Sequence, residues 1–132
     1  MGKYFGTDGF RGEANKNLTV EHAFKVGRFL GWYYGKDKSE KCRVVIGKDT
    51  RRSSYMFEYS LVAGLTASGA DAYLLHVTTT PSVSYVVRTE DFDCGKMCIR
   101  DRFWTLLLFP VRIKKYPTQG QIYPPPCRKG YV

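Results

Sequence analysis

The feature that most constrains the fold is an alternation of two short apolar runs with three helical patterns. Residues 43–47 and 72–77 are rich in β-branched and other apolar side chains, which is typical of buried strands. Apolar residues recur at helical spacing over residues 19–35, 55–68 and 82–88. Strands that alternate with helices in this way form a largely parallel sheet with helices on its faces. We therefore predict an α/β fold.

Residues at the ends of these patterns predict the helix boundaries. Thr19 is a suitable N-cap, and Gly35 predicts the end of the first helix. Thr80 is predicted to cap the third helix, with Pro81 at its first position. We interpret His22 as a surface residue. The stripe of the first helix that is predicted to be buried consists of Ala23, Phe24, Gly27, Leu30, Gly31 and Tyr34.

A glycine-rich stretch lies near the start of the chain. Residues 5–12 read Phe-Gly-Thr-Asp-Gly-Phe-Arg-Gly, which predicts a tight polar loop because glycine permits conformations and close approaches that a Cβ would prevent. On such a loop the planar guanidinium of Arg11 could bind a carboxylate or a phosphate through two parallel hydrogen bonds. A plain glycine-rich turn with an exposed arginine explains the same residues.

A second polar stretch, residues 48–54, follows the first predicted strand directly. Lys48 and Arg51 would then lie at the carboxyl edge of the sheet, where α/β proteins commonly bind ligands. The alternative is an ordinary connection between a strand and a helix, capped by Ser53 or Ser54. Both interpretations stay open at this point.

The basic charge of the chain is concentrated after residue 95. The net charge of the whole chain is +9, yet residues 1–95 hold 13 basic and 11 acidic side chains. Residues 96–132 hold 8 basic side chains, a single acidic residue, Asp101, and five of the six prolines. Composition therefore changes sharply at this point of the chain.

The change falls where a third strand should continue. Cys94 and Gly95 are predicted to begin it, but residues 96–102 are too charged for a buried parallel strand. We therefore predict an incomplete domain over residues 1–95, with an uncovered sheet edge. Residues 96–132 are predicted to be a basic, proline-rich, poorly ordered tail that is not native to the domain, as a frameshift or a chimeric joining would produce.

The remaining composition favours a cytoplasmic protein. Cys42, Cys94, Cys98 and Cys127 form no CxxC pair, and we interpret them as unpaired thiols in a reducing compartment and not as metal ligands. No apolar run approaches the roughly 18 residues of a membrane span, and no secretory signal follows Met1. We expect no membrane partner.

Three parts of the sequence together resemble the first domain of the α-D-phosphohexomutases. They are residues 1–12, Ile-Gly-Lys-Asp-Thr-Arg at 46–51, and Leu-Val-Ala-Gly-Leu at 61–65, followed in the family's order by Gly-Ala at 69–70 and Thr-Thr-Pro at 79–81. The resemblance covers residues 1–95. It implies a three-layer α/β/α domain, here with a truncated sheet.

The resemblance also implies an activity for the full-length protein. In that family a phosphoserine donates its phosphoryl group to a sugar phosphate, and bound Mg²⁺ offsets charge on the phosphoryl oxygens. Sugar phosphates are therefore the expected partners. The opening residues 1–11 favour a glucosamine phosphate, and a mannose or glucose phosphate stays open because the family's sugar-recognition loop has no counterpart in this sequence.

The sequence departs from the family at the reactive residue. It contains neither the Ser-His-Asn-Pro loop that carries the phosphoserine nor the Asp-rich metal loop. We therefore expect no catalytic residue, no bound metal and no activity for this chain alone. By the resemblance, Arg11 faces the phosphoserine region, Thr7 and Gly9 shape its loop, and Lys48 and Arg51 lie near the same cleft.

A nucleic-acid-binding module is the alternative that the basic tail raises. Basic side chains attract phosphates, and aromatic side chains stack on bases. The aromatic residues in question are Phe103, Trp104, Tyr116, Tyr123 and Tyr131. Because they are scattered through a segment with no recognised fold, we expect no nucleic-acid partner.

Overall fold

The structure is a computed structural model that describes residues 5–6, 9–37, 39–101 and 103–110, with side chains described for residues 12–37 and 39–98. In chain order, the strands and helices are β1 (Phe5–Gly6), β2 (Gly9–Gly12), α1 (Val20–Gly35), β3 (Arg43–Lys48), α2 (Arg52–Thr66), β4 (Asp71–Val77), α3 (Thr80–Thr89), β5 (Cys94–Asp101) and β6 (Phe103–Pro110).

The six strands form one sheet in the order β1-β2-β6-β5-β3-β4. The central strand β3 is parallel to β4 on one side and to β5 on the other. The pairs β1–β2, β2–β6 and β5–β6 are antiparallel. The α/β class with a largely parallel core is therefore confirmed, and the sheet as a whole is mixed.

Helices cover both faces of the parallel strands, which gives three layers. On one face, Val44 and Ile46 of β3 belong to an apolar cluster with Leu30 of α1 and Leu61 of α2. On the other face, a second cluster joins the sheet to α3 through Val45, Met97, Val83 and Val87. Successive residues of β3 thus point to opposite layers, as strand geometry requires.

The prediction that residues 96–102 are too charged for a buried parallel strand is wrong for residues 96–98. The backbone of β5 pairs with β3 from Val44 opposite Cys94 to Lys48 opposite Cys98. Lys96 lies in the middle of this ladder and is fully buried. Burial lowers the pKa of its ammonium group to about 8. The backbone hydrogen bonds of the ladder form regardless of which side chain stands at position 96. The free-energy cost of burying the ammonium group therefore appears as a lowered pKa.

Residues beyond β5 extend the sheet. The backbone of β6 pairs with β5 along its whole length and with β2 through Phe10–Leu106, Arg11–Thr105 and Gly12–Trp104. The edge that was expected to be uncovered is therefore paired by β6. The remaining part of the predicted tail, residues 111–132, lies outside the described residues, and so does Cys127.

The boundaries predicted for α1 are confirmed, but its buried stripe is narrower than predicted. The helix begins after Thr19, whose backbone N–H donates to Nδ1 of His22 at 3.1 Å. His22 therefore helps to cap the helix. Of the predicted stripe, Phe24 is 36% exposed and Tyr34 is half-buried, and the buried members are Ala23, Gly27, Leu30 and Gly31.

The other two helices begin earlier than predicted. The N-cap of α2 is Arg51 and not Ser53 or Ser54, since Arg52 already has helical conformation. The N-cap of α3 is Thr79 and not Thr80, because the Thr79 hydroxyl accepts a hydrogen bond from the backbone N–H of Ser82 at 3.4 Å.

Candidate functional site

The candidate site lies at the carboxyl edge of the three parallel strands. The backbone N–H of Thr78, just after β4, donates to the carbonyl of Lys48 at 3.0 Å. The backbone N–H of Asp49 donates to the carbonyl of Cys98 in β5 at 3.2 Å. These two bonds join the end of β4, and the last residue of β5 that pairs with β3, to the end of β3. Ligands collect at this edge in folds of this kind.

The connection from β3 to α2 is ordered by its own side chains. Oδ1 of Asp49 accepts a hydrogen bond from the backbone N–H of Arg51 at 3.2 Å, and Oδ2 lies 3.7 Å from Nε of the same arginine. The hydroxyl of Ser54 donates to the carbonyls of Asp49 and Arg51. Arg51 is therefore held at the start of α2 by an exposed ion pair, with its guanidinium open to solvent.

Lys48 occupies an unusual position for a lysine. Its side chain is fully buried, and Nζ has no hydrogen-bond partner among the described residues. Nζ lies 3.3 Å from the centroid of the Tyr55 ring, in the first turn of α2. A cation over an aromatic face is attracted by the ring's quadrupole, but this contact uses none of the three N–H donors in the way an oxygen acceptor would.

A buried carboxylate lies on the same helix. Glu58 is fully buried, and neither of its oxygens has a hydrogen-bond partner among the described residues. Its Oε2 lies 3.6 Å from Nδ1 of His76, which is exposed. Because burying a carboxylate without hydrogen bonds is costly, the imidazole of His76 is the neighbouring group placed to offset part of that cost.

A β-bulge sets the position of His76. The pairing of β3 with β4 passes from Ile46–Leu74 to Gly47–His76, so Leu75 is an extra residue in the ladder. His76 itself has φ 54°, in the left-handed region that residues other than glycine rarely adopt. A bulge commonly redirects a side chain, and here it accompanies the contact between His76 and Glu58.

Cys98 lies among these charges. Its pKa is raised to about 12, first by burial and further by the carboxylates of Glu58 and Asp49, while Lys96 and Lys48 act in the opposite direction. The thiol is therefore protonated at neutral pH, the state in which a cysteine is least reactive. Cys42, Cys94 and Cys98 are all buried free thiols.

The structure places some of the predicted site residues together and leaves others undescribed. Lys48 and Arg51 flank one short connection, as predicted. The stretch containing Arg11 and Gly9 forms strand β2, with Gly9 opposite Gly6, so these residues are not in a simple loop. Thr7 lies outside the described residues. For Arg11 the structure describes the backbone and not the side chain.

Sequence reasoning missed Tyr55, Glu58 and His76. Glu58 lies three residues before Leu61 and seven before Leu65 on the buried face of α2, so helical spacing alone indicates that it is buried. Tyr55 lies three residues before Glu58 but is 44% exposed, so the spacing does not predict its contact with Lys48. The position of His76 depends on the bulge, for which a single sequence contains no clear signal.

Two kinds of feature are not found in the part of the chain that the structure describes. No three or more His, Cys, Asp or Glu side chains there form a group that could hold a metal ion. No described helix is both long enough and apolar enough to cross a membrane.

Comparison with known proteins gives a consistent match over the first three quarters of the chain. The family described as phosphoglucomutase/phosphomannomutase, alpha/beta/alpha domain I, matches residues 2–99. A phosphoglucosamine mutase from Lachnospira eligens is 86% identical over 98 residues, which are 74% of this chain and 22% of that protein. One from Lachnoclostridium phytofermentans is 87% identical over 97 residues, which are 74% of this chain and 21% of that protein.

More distant relatives agree with these two. A phosphoglucosamine mutase from Streptococcus equi subsp. zooepidemicus is 54% identical over 97 residues, 74% of this chain and 22% of that protein. The chain thus spans about a fifth of the length of the curated relatives it matches.

A crystal structure supports the fold. A phosphoglucomutase/phosphomannomutase family protein from Burkholderia thailandensis superimposes with a TM-score of 0.63 at 20% identity, covering 75% of this chain and 24% of that one. At that identity the likeness concerns the fold alone.

Proposed function

Because this chain belongs to the phosphoglucomutase/phosphomannomutase domain I family, we propose that residues 1–95 are the first domain of a phosphoglucosamine mutase. The observation that carries the proposal is the 86–87% identity to two proteins of that name over 97–98 residues. In the whole enzyme, glucosamine 6-phosphate and glucosamine 1-phosphate would interconvert through a phosphoserine and a bisphosphate intermediate.

The contribution of this domain would be electrostatic. A sugar phosphate is a dianion near neutral pH, and guanidinium and ammonium groups at the edge of a sheet attract it. Arg11, Lys48 and Arg51 are the cations we assign to this role, with Thr7 and Gly9 shaping the loop near Arg11. Support for it comes from the location of Lys48 and Arg51 at the carboxyl edge of β3.

Catalysis would need groups that these residues do not supply. The sequence contains no Ser-His-Asn-Pro. The described residues offer no metal-binding group, so Mg²⁺ would be held elsewhere in the whole enzyme. We therefore propose that the 132-residue chain is inactive alone.

We also propose that residues 96–132 are foreign to this domain. The net charge of this segment, +7, supports this, and the family match ends shortly after its start, at residue 99. The three buried free thiols favour a cytoplasmic location for the chain.

A graft tests the proposed function. Residues 1–95 of this chain would replace the matching part of the Lachnospira eligens phosphoglucosamine mutase, and the product would be assayed with Mg²⁺, a bisphosphate primer and glucosamine 6-phosphate. We expect turnover close to that of the parent enzyme, and none for the 132-residue chain. A soluble, folded graft without activity would contradict the proposal.

The same graft tests the substrate. Mannose 6-phosphate and glucose 6-phosphate are the alternatives that the family description allows. We expect glucosamine 6-phosphate to give the highest kcat/KM. Turnover by the 132-residue chain itself would contradict the proposed absence of the nucleophile.

A further inference from the structure

The ammonium of Lys48 is enclosed on one side by an aromatic ring that can move. Tyr55 is 44% exposed, whereas Lys48 is fully buried beneath it, with Nζ 3.3 Å from the ring centroid. Surface aromatic side chains change rotamer on the nanosecond scale, while buried strand residues do not. The ring is therefore the mobile part of this contact.

Lys48 also has unused binding capacity. Its three N–H donors have no acceptor among the described residues, and burying such a group without hydrogen bonds is unfavourable. An incoming oxyanion would supply the missing acceptors and a compensating charge. The cation–π contact with Tyr55 offsets only part of that cost in its absence.

The neighbouring charges limit which ligand could reach Lys48. The carboxylate of Asp49 already contacts Arg51, and that of Glu58 already lies beside His76. Neither acid contacts Nζ of Lys48 as an ion pair, so the ammonium keeps its charge available for an external anion. Arg51, one residue before α2, adds a second cation to the same edge.

We infer that the ring of Tyr55 is a lid over Lys48, and that a phosphate monoester reaches the ammonium only when this ring swings outward. The inference rests on the proposed function for the class of ligand, and on the contact between Tyr55 and Lys48 for the lid. Tyr55 would thus be a positioning residue: it holds the lysine before the ligand arrives and yields its place to a phosphate oxygen.

Amine labelling of the full 132-residue chain tests the lid without any sugar phosphate. The wild type, Tyr55→Ala and Tyr55→Phe would be treated briefly with acetic anhydride, and acetylation of Lys48 would be measured by peptide mass spectrometry. Loss of a cation–π contact predicts an increase of about five- to thirtyfold in the labelling rate of Tyr55→Ala. Tyr55→Phe keeps the ring and should match the wild type.

Tyr85→Ala is the matched control, because Tyr85 is another exposed tyrosine, 66% exposed, and lies on α3. Its Lys48 labelling should equal that of the wild type. Equal labelling of Lys48 in Tyr55→Ala and Tyr85→Ala, with unchanged circular dichroism, would overturn the lid.

A second measurement needs no variant and guards against misfolding of Tyr55→Ala. Inorganic phosphate would be titrated into the wild-type chain while the tyrosine ring resonances are followed by NMR. We expect the Tyr55 ring resonances to shift with phosphate, and those of Tyr85 on α3 to stay fixed. Shifts of equal size at both rings, or at neither, would contradict displacement of the lid, whatever the graft assay shows about the sugar.

Discussion

Gly64 of α2 lies directly against the backbone carbonyl of Phe24 in α1. A Cβ at Gly64 would collide with that carbonyl oxygen and would lie 2.9 Å from the backbone nitrogen of Arg28. Gly27 of α1 has the reciprocal relationship with the carbonyl of Leu61 in α2. The two helices thus meet backbone to backbone, and their packing fixes the layer that covers β3.

Gly64→Ala is therefore expected to force the helices apart. Because the obstructing atoms belong to backbone, the free energy of unfolding should fall by about 3 kcal/mol, the upper range for overpacking. Urea denaturation measures it. Gly35→Ala is the control, since its new Cβ would meet only the Cβ of Cys42 at an ordinary 3.8 Å. A change of less than about 1 kcal/mol in Gly64→Ala would contradict the close packing.

Removing the buried ammonium of Lys96 should stabilise the chain. Burial lowers the pKa of Lys96 from 10.5 to about 8. That displacement corresponds to a penalty of on the order of 3 kcal/mol at pH 7, where the group is charged in both states. Lys96→Ile should recover much of this in urea denaturation. Lys25→Met, on the exposed surface of α1, should change stability by less than about 0.5 kcal/mol.

The same group predicts how stability depends on pH. Between pH 8 and 9 the unfolded chain binds more protons at Lys96 than the folded chain does, so the free energy of unfolding should rise with pH. Above pH 9 the thiols of Cys94 and Cys98, whose pKa values burial raises to about 12, lose protons only in the unfolded chain. Two such groups outweigh one lysine, so stability should fall, with a maximum near pH 9.

Urea denaturation at intervals from pH 7 to 10.5 checks this profile. The rise between pH 8 and 9 should disappear in Lys96→Ile, while the fall above pH 9 should remain. A wild-type stability that already falls between pH 8 and 9 would show that Lys96 is charged and solvated, in disagreement with its burial.

Two neighbouring threonines have different roles at the start of α3. Thr79 accepts the hydrogen bond from Ser82, and Thr80 is the first helical residue. Thr79→Ala should therefore lower the free energy of unfolding by about 1 kcal/mol. Thr80→Ala should be nearly neutral. Thermal denaturation of both variants checks this. A larger loss of stability in Thr80→Ala than in Thr79→Ala would show that Thr80 is the N-cap.

The elements of the domain could be predicted from the sequence where one local rule decides them. Thr19 and Gly35 bound α1 correctly because capping and helix termination depend on a few adjacent residues. The choice between Thr79 and Thr80 failed because both residue types can cap, and only the backbone conformation distinguishes them.

The strand at residues 94–101 could not be predicted because tertiary pairing overrode its composition. Lysine is rarely found in a buried strand, yet Lys96 is fully buried because β5 pairs with β3. The partners of Lys48 are a similar case. Tyr55 and Glu58 approach the sheet edge only through the angle at which α2 packs, which no single sequence contains.

Sequencing the gene across codons 94–104 tests most directly whether a phosphohexomutase domain is joined here to unrelated residues. We expect a break at or just after codon 95, with the native frame continuing through an apolar strand to Ser-His-Asn-Pro. An uninterrupted genomic frame that encodes residues 96–132 as they stand would contradict it.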